Sequence, residues 1–374
     1  MMAPSDLADI MLFNRNTLRR ISIATQLLSG IALTIASAFA QVTRLHGFNV
    51  DITQTSVSGL SSGAYMAVQF EVAHSSIIKG AGVIAGGPYF CAHGNIFTAI
   101  AVCSCTTFAA LCRTADGATD VPALVDATRS FEQKGAIDAT THLSTHRVYL
   151  FSGTLDSQVP PPIVRDLARY YQAFMPEANV RLVANIEVNH AMPTGSFGNS
   201  CDTSDAPYIN RCNFDAAGEL LKWIHGSLQP ARTGTLGGRF EEFDQSEFLP
   251  DPTSHGLDTS GWIYVPASCS AGQPCRVHVA LHGCRQGQNF RALSLPFFPI
   301  GARFGKTFIE HAGYNRWADT NRIIVLYPQA VATLTNPQGC WDWWGYDDTN
   351  YAVKAGRQIA AVRAMVDRIA SGRN

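Results

Sequence analysis

Val57-Ser58-Gly59-Leu60-Ser61-Ser62-Gly63-Ala64-Tyr65-Met66 sets a serine at the centre of a G-x-S-x-G frame, between a strand-like run and a helix-like one. That is the setting of a nucleophile elbow, a sharp strand-to-helix turn that lifts a serine hydroxyl clear of a sheet edge. Glycines at 59 and 63 leave room for a strained turn that a Cβ would obstruct, so the frame predicts Ser61 at the head of a helix over residues 64–74. Alone the frame is weak, because a chain with 31 glycines can meet it by chance. A plain turn is an equally good reading until partners for the serine are found.

A serine nucleophile needs a base, and the base needs a carboxylate to fix its tautomer; in hydrolases of this shape the chain order is Ser, acid, His. Arg147-Val148-Tyr149-Leu150-Phe151 reads as a buried strand that Ser152-Gly153-Thr154-Leu155-Asp156 breaks. Asp156 is thereby placed on a loop at the strand's carboxyl end, the edge where open α/β sheets carry their chemistry. Val180-Arg181-Leu182-Val183 reads as a further strand, and the loop Asn189-His190-Ala191-Met192-Pro193 follows it, making His190 the candidate base. Taken singly, Asp156 is a turn carboxylate and His190 one of 11 histidines; the ordered trio favours a triad.

Arg276-Val277-His278-Val279-Ala280-Leu281 is a strand pattern running into His282-Gly283-Cys284-Arg285-Gln286-Gly287, an H-G loop of the kind that presents backbone N–H groups to an oxyanion. Such a loop normally precedes the nucleophile. Here it follows Ser61 by more than 200 residues, and the run 322–328 after it reads as the next parallel strand. The expected architecture is therefore a circularly permuted α/β-hydrolase fold, with a mostly parallel central sheet flanked by helices. Its permutation joint is placed in the Gly-, Pro- and Thr-containing loop near 229–240.

These residues resemble the single-domain, circularly permuted polyhydroxybutyrate depolymerases, which are extracellular serine esterases. The resemblance rests on residues 59–66, on 153–156, on Asn189-His190, on Leu281-His282-Gly283-Cys284 and on Gly339-Cys340-Trp341-Asp342. It implies Ser61 as nucleophile, His190 as base and Asp156 as orienting acid, with the N–H groups of Ser62 and Cys284 forming the oxyanion hole. It also implies that Trp341 contacts the polyester. For Trp343 and Trp344 the blander reading, rings filling core space under a loop, is preferred.

Composition agrees with one large exported catalytic domain over residues 41–374: 374 residues at 46% hydrophobic content can bury a substantial core. A net charge of −1 gives no electrostatic case for nucleic acid or an anionic membrane. Arg15, Arg19 and Arg20, an apolar stretch over residues 21–36 and Ala38-Phe39-Ala40 read as a signal peptide over residues 1–40, cleaved before Gln41. Ten cysteines suit disulfides in an oxidising compartment, and no spacing suggests a metal site. Cys269 with Cys275, Cys201 with Cys212 and Cys284 with Cys340 are the expected pairs; Cys103 and Cys105 each take Cys91 or Cys112. Residues 216–225 read as a helix that Gly226 stops, and Ile359, Val362, Val366 and Ile369 as the buried stripe of another. The chain stops soon after, so no separate polymer-binding module is expected.

These observations lead to a secreted, monomeric serine esterase, without metal or organic cofactor, acting on poly(3-hydroxybutyrate) or related short-chain polyhydroxyalkanoates and their oligomers. Two other readings are a secreted feruloyl or acetyl-xylan type carboxylesterase and a non-catalytic binding protein on a hydrolase scaffold.

Overall fold

Strand β1 (Thr55–Leu60) is buried at every position although Thr55, Ser56 and Ser58 are polar. Buried hydroxyls need partners, and these are supplied from the neighbouring strand: the two ring nitrogens of His278 lie 2.8 Å from the hydroxyls of Ser56 and Ser58. Ser58 also donates to the Tyr314 hydroxyl, and Ser56 meets His225. Burial, with His225 nearby, drives the pKa of His278 well below its ordinary value and keeps the ring neutral. The strand that carries Ser61 is thus pinned in register on its neighbour by side chains as well as by its ladder.

The structure is a computed structural model and describes residues 42–295 and 298–372; the signal peptide read over residues 1–40 lies outside the described residues. After β1 come β2 (Ile78–Ile84), β3 (Arg147–Gly153), β4 (Val180–Ile186), β5 (Met192–Thr194), β6 (Ile209–Arg211), β7 (Arg239–Asp244), β8 (Ser260–Val265), β9 (Arg276–Leu281), β10 (Arg291–Leu295), β11 (Phe298–Arg303) and β12 (Ile323–Tyr327). Eight of these form one sheet in the order β4-β3-β2-β1-β9-β12-β8-β7. From β4 to β12 every pairing is parallel, and only β8 runs against its neighbours. β5 with β6 and β10 with β11 make two small separate pairs.

This is the mostly parallel sheet flanked by helices that the sequence predicts. β3, β4 and β9 coincide with predicted strands, and β12 pairs parallel to β9. The elbow helix is Ser62–Ala73, and Ala216–His225 ends at Gly226, whose φ of 80° suits the residue that closes it. In Arg357–Ala370 the predicted stripe of Ile359, Val362, Val366 and Ile369 is buried. Residues 227–238 carry neither helix nor strand.

Candidate active site

Ser61 sits between β1 and the elbow helix with φ 55° and ψ −122°, a conformation that L-residues rarely adopt and that functional sites store as strain. The strain falls on the serine and not on the flanking glycines, whose part is clearance. A Cβ on Gly59 would come within 2.2 Å of the Gly63 carbonyl, and one on Gly63 within 2.4 Å of the carbonyls of Leu281 and His282. The two glycines therefore let strand, helix and the H-G loop meet at the nucleophile.

His190 Nε2 lies 2.9 Å from Ser61 Oγ, and His190 Nδ1 lies 2.8 Å from Asp156 Oδ2. The other oxygen of Asp156 accepts from the amides of Gln158 and Val159 at 2.8 and 2.9 Å. That carboxylate can only accept, so His190 carries its proton on Nδ1 and turns a lone pair toward Ser61. Asn189 steadies the base by accepting from the His190 amide and donating to the Asp202 carbonyl, and the Cys201–Cys212 bond ties the same loop. Gly153 is required here too: a Cβ would lie 1.9 Å from the Val188 carbonyl, where the end of β3 touches the histidine loop.

Ser62, as first residue of the elbow helix, is one of the amides that have no acceptor within a helix. Cys284 lines the same cleft as Ser62. On either side of Cys284 the amide of Gly283 donates to the Gln286 side chain at 2.7 Å and that of Arg285 to the Gln338 carbonyl at 2.8 Å. Beneath the loop His282 is fully buried, its Nδ1 donating to the Gly283 carbonyl and its Nε2 accepting from the Ala330 amide. Burial lowers its pKa to about 4, which leaves the neutral ring those two bonds require. Cys284 is bonded to Cys340, and the chain has four further disulfides: Cys91–Cys103, Cys105–Cys112, Cys201–Cys212 and Cys269–Cys275.

A cleft of about 620 Å³ contains Ser61, Ser62, His190 and Cys284 in its walls. Trp341 is not among its lining residues, which corrects the expectation that this ring meets the substrate. It is fully buried, and its indole Nε1 donates to the His282 carbonyl at 2.9 Å, so it buttresses the H-G loop from behind. Tyr65, Tyr208, Trp343 and Trp344 are the aromatic side chains in the lining of the cleft. Trp343 stacks on Tyr65 with ring centres 4.0 Å apart, and the Tyr65 hydroxyl donates to the Cys103 carbonyl. Burial, reinforced by the charge of Asp156, raises the Tyr65 pKa and keeps the phenol protonated. Between the two tryptophans the chain bends at Asp342. Its carboxylate accepts from the amides of Gly345, Tyr346, Asp347 and Asp348.

Among the described residues no cluster of His, Cys, Asp or Glu is arranged to hold a metal ion, and no helix is long and apolar enough to cross a membrane. Ile96, Phe97, Phe108 and Leu111, in or beside the two loops closed by Cys91–Cys103 and Cys105–Cys112, expose large apolar surface, as does Leu334 beside the cleft residue Thr335.

No protein-family model matches the chain. It is 45% identical over 342 residues to a poly(3-hydroxybutyrate) depolymerase of Delftia acidovorans, of whose length it spans 64%. It is 39% identical over 362 residues to a polyhydroxybutyrate depolymerase of Talaromyces funiculosus, spanning 97% of that protein. The fold superposes on the crystal structure of PHB depolymerase from Penicillium funiculosum with a TM-score of 0.78 at 37% identity, covering 89% of this chain and 100% of that one. A PHB depolymerase complexed with R3HB trimer matches with a TM-score of 0.77 at 36% identity, with the same coverage.

Proposed function

Because the chain belongs to the polyhydroxybutyrate depolymerase family, we propose that it is a secreted serine esterase that hydrolyses poly(3-hydroxybutyrate) or related short-chain polyhydroxyalkanoates. The observation that carries this reading is the unbroken hydrogen-bond chain from Asp156 through His190 to Ser61, opening into a cleft walled by Tyr65, Trp343 and Trp344. His190 Nε2 takes the Ser61 proton as the oxygen attacks the ester carbonyl. The amides of Ser62 and Cys284 receive the developing oxyanion, and Asp156 holds the imidazolium. Collapse expels the alcohol half of the chain, protonated by His190, and leaves a hydroxyacyl ester on Ser61. Water, deprotonated by His190, then releases the acid.

Phe97, Phe108, Leu111 and Leu334 give the domain an apolar rim with which to meet a solid polyester. Five disulfides support passage through an oxidising compartment. The sheet order also supports circular permutation. Counted from β7 and continued from the carboxyl end into β1, the strands lie in the order 1-2-4-3-5-6-7-8, with the joint in the irregular segment 227–238.

Purified protein is expected to clear a turbid poly(3-hydroxybutyrate) suspension and to be labelled at Ser61 by a fluorophosphonate. Protein that is inert on the polymer yet cleaves feruloyl or acetyl esters would replace this reading with the carboxylesterase one. Protein that takes no label would leave a binding scaffold.

A further inference from the structure

Beyond Cys284 the catalytic cleft continues into a second cavity of about 610 Å³, and the two share Tyr208, Arg285, Pro337 and Gln338 as a common wall. The far side of this cavity is made by Phe290, Arg291, Arg303 and Phe304, at the base of the β10–β11 pair, where Arg291 and Arg303 are register partners. Three of its described lining residues are arginines and none is acidic. The segment from Arg291 to Arg303 has no acidic residue in its sequence either. Among the described residues no carboxylate forms an ion pair with Arg285, Arg291 or Arg303. In a chain whose net charge is −1, three like charges gathered without counter-ions are a local excess that an anion would relieve.

Arg285 is the residue next to Cys284 and is held in the left-handed region at φ 66°. Its guanidinium is aimed by the Gln338 side chain and by the Tyr208 hydroxyl at 3.2 Å, which leaves other N–H groups unspent. A strained backbone beside the oxyanion loop, with its side chain steered into the cavity, marks a place with a task.

We propose that this basic cavity binds the terminal carboxylate of hydroxyalkanoate oligomers, so that the protein takes soluble chains by their acid end. The inference rests on the polyester reading above. Its direction follows from the chemistry of the substrate. A hydroxyalkanoate chain has a hydroxyl at one end and a carboxylate at the other, and whichever ester is cut, the carboxylate stays with the alcohol half. The second cavity is therefore the leaving-group side, and the aromatic wall of Tyr65, Trp343 and Trp344 faces the acyl side. Planar guanidiniums suit a carboxylate because each can donate two parallel hydrogen bonds.

The test compares the 3-hydroxybutyrate trimer as free acid with its methyl ester, which removes the charge and keeps the internal esters. Loss of intact trimer is followed in the full protein and in a variant carrying Arg291→Gln and Arg303→Gln. Wild type is expected to favour the free acid by about tenfold in kcat/KM at low salt, because exposed guanidiniums act through partly screened charge. High salt and the double substitution should each bring the ratio toward one. The ratio is taken within each protein, so partial unfolding of the variant cancels. Equal rates on the two forms in wild type at low salt, or an unchanged ratio in the variant, would overturn the carboxylate site alone. Failure to cleave either trimer, with a p-nitrophenyl ester still hydrolysed, would overturn the polyester reading and this inference with it.

Discussion

The Ser61 side of the cleft is held by regular structure, whereas the Cys284 side is held by one disulfide and a set of side-chain hydrogen bonds. Ser61 ends a strand paired on both edges and begins a 12-residue helix, so displacing it would break ladders to β2 and β9 together. Cys284 lies in an irregular loop fixed by Cys340, by Gln286 and Gln338, and from below by His282 and Trp341. The difference has a physical consequence. Backbone ladders are indifferent to redox state and to moderate pH, but a disulfide and a buried imidazole are not. Reduction should therefore reach catalysis through the Cys284 side, whereas acid should act on both sides, because the buried His278 braces the strand that ends in Ser61.

The largest expected effect belongs to the other side. Ser61→Ala should lower ester hydrolysis by about a million-fold, the scale seen when a triad loses its nucleophile. Ser62→Ala should keep most of the activity, because the proposed role of Ser62 uses its amide. Its hydroxyl makes only a 3.5 Å contact with the Trp341 amide. Equal losses in both variants would reassign the nucleophile.

Next is the disulfide. Replacing Cys284 and Cys340 together by serine should cost up to about 10² to 10³ in turnover, the scale of one oxyanion donor, and about 2 to 5 kcal/mol of stability. The same exchange at Cys269 and Cys275, which close a short loop before β9 away from the cleft, should spare turnover. Indistinguishable kinetics in the two double variants would break the contrast between the sides.

Acid is expected to act on the Cys284 side by a second route. His282 is lowered from 6.5 to about 4 by burial, so the fold favours its neutral form. Stability from such a group is complete above the unfolded value and is lost as pH falls from about 6.5 toward 4, by at most about 3 kcal/mol. His74, lowered to about 4, and His225, lowered to about 3, both chiefly by burial, add in the same direction. Asp342 has the opposite sign: burial raises it to about 6, and what it contributes to stability is lost as pH rises from 3.8 through that value. The histidines outnumber it, so denaturant midpoints should fall from pH 7 to pH 4.5. His282→Gln, which keeps a buried polar side chain without a titrating ring, should flatten part of that slope. A midpoint that climbs on acidification would show that the carboxylates dominate.

What could be read in the sequence was what is local. The meeting of Ser61, Asp156 and His190 was legible because each follows its own strand, and β1, β3 and β4 put all three at one edge. The cysteine pairs of short span were legible for the same reason. Residue order does not tell which way a side chain points once the chain turns. Trp341, next to Cys340, was expected at the cleft and is instead enclosed behind the H-G loop, while Trp343, expected in the core, is buried there and yet also lines the cleft, because nothing in the string shows that Asp342 gathers four amides and turns the segment. Likewise the elbow's strain falls on Ser61 itself, while its glycines serve clearance, a distinction visible only when Leu281 and His282 are brought against Gly63. The second cavity was not legible at all, since its wall is assembled from residues near 207, 285, 291, 303 and 337.

That turn around Asp342 gives the smallest predicted effect and the one that separates the two sides most finely. Trp343 stacks directly on Tyr65 in the cleft wall, so it joins the Cys340 arm to the Ser61 helix and is placed to meet the acyl chain of the proposed substrate. Trp343→Ala should lower kcat/KM for hydroxybutyrate oligomers more than for p-nitrophenyl butyrate, by about five- to two-hundred-fold for a contact of roughly 1 to 3 kcal/mol. The small reporter ester has little chain to lay against the ring. Trp341→Ala should behave differently. With its ring fully buried and its indole N–H on the His282 carbonyl, its loss should depress every substrate in proportion and lower the melting temperature. The experiment measures polymer, oligomer and reporter rates for both variants beside their thermal unfolding. A selective loss on the polyester with Trp341→Ala and a uniform one with Trp343→Ala would exchange the two roles, and would mean that the cleft opens on the Trp341 face when substrate is bound.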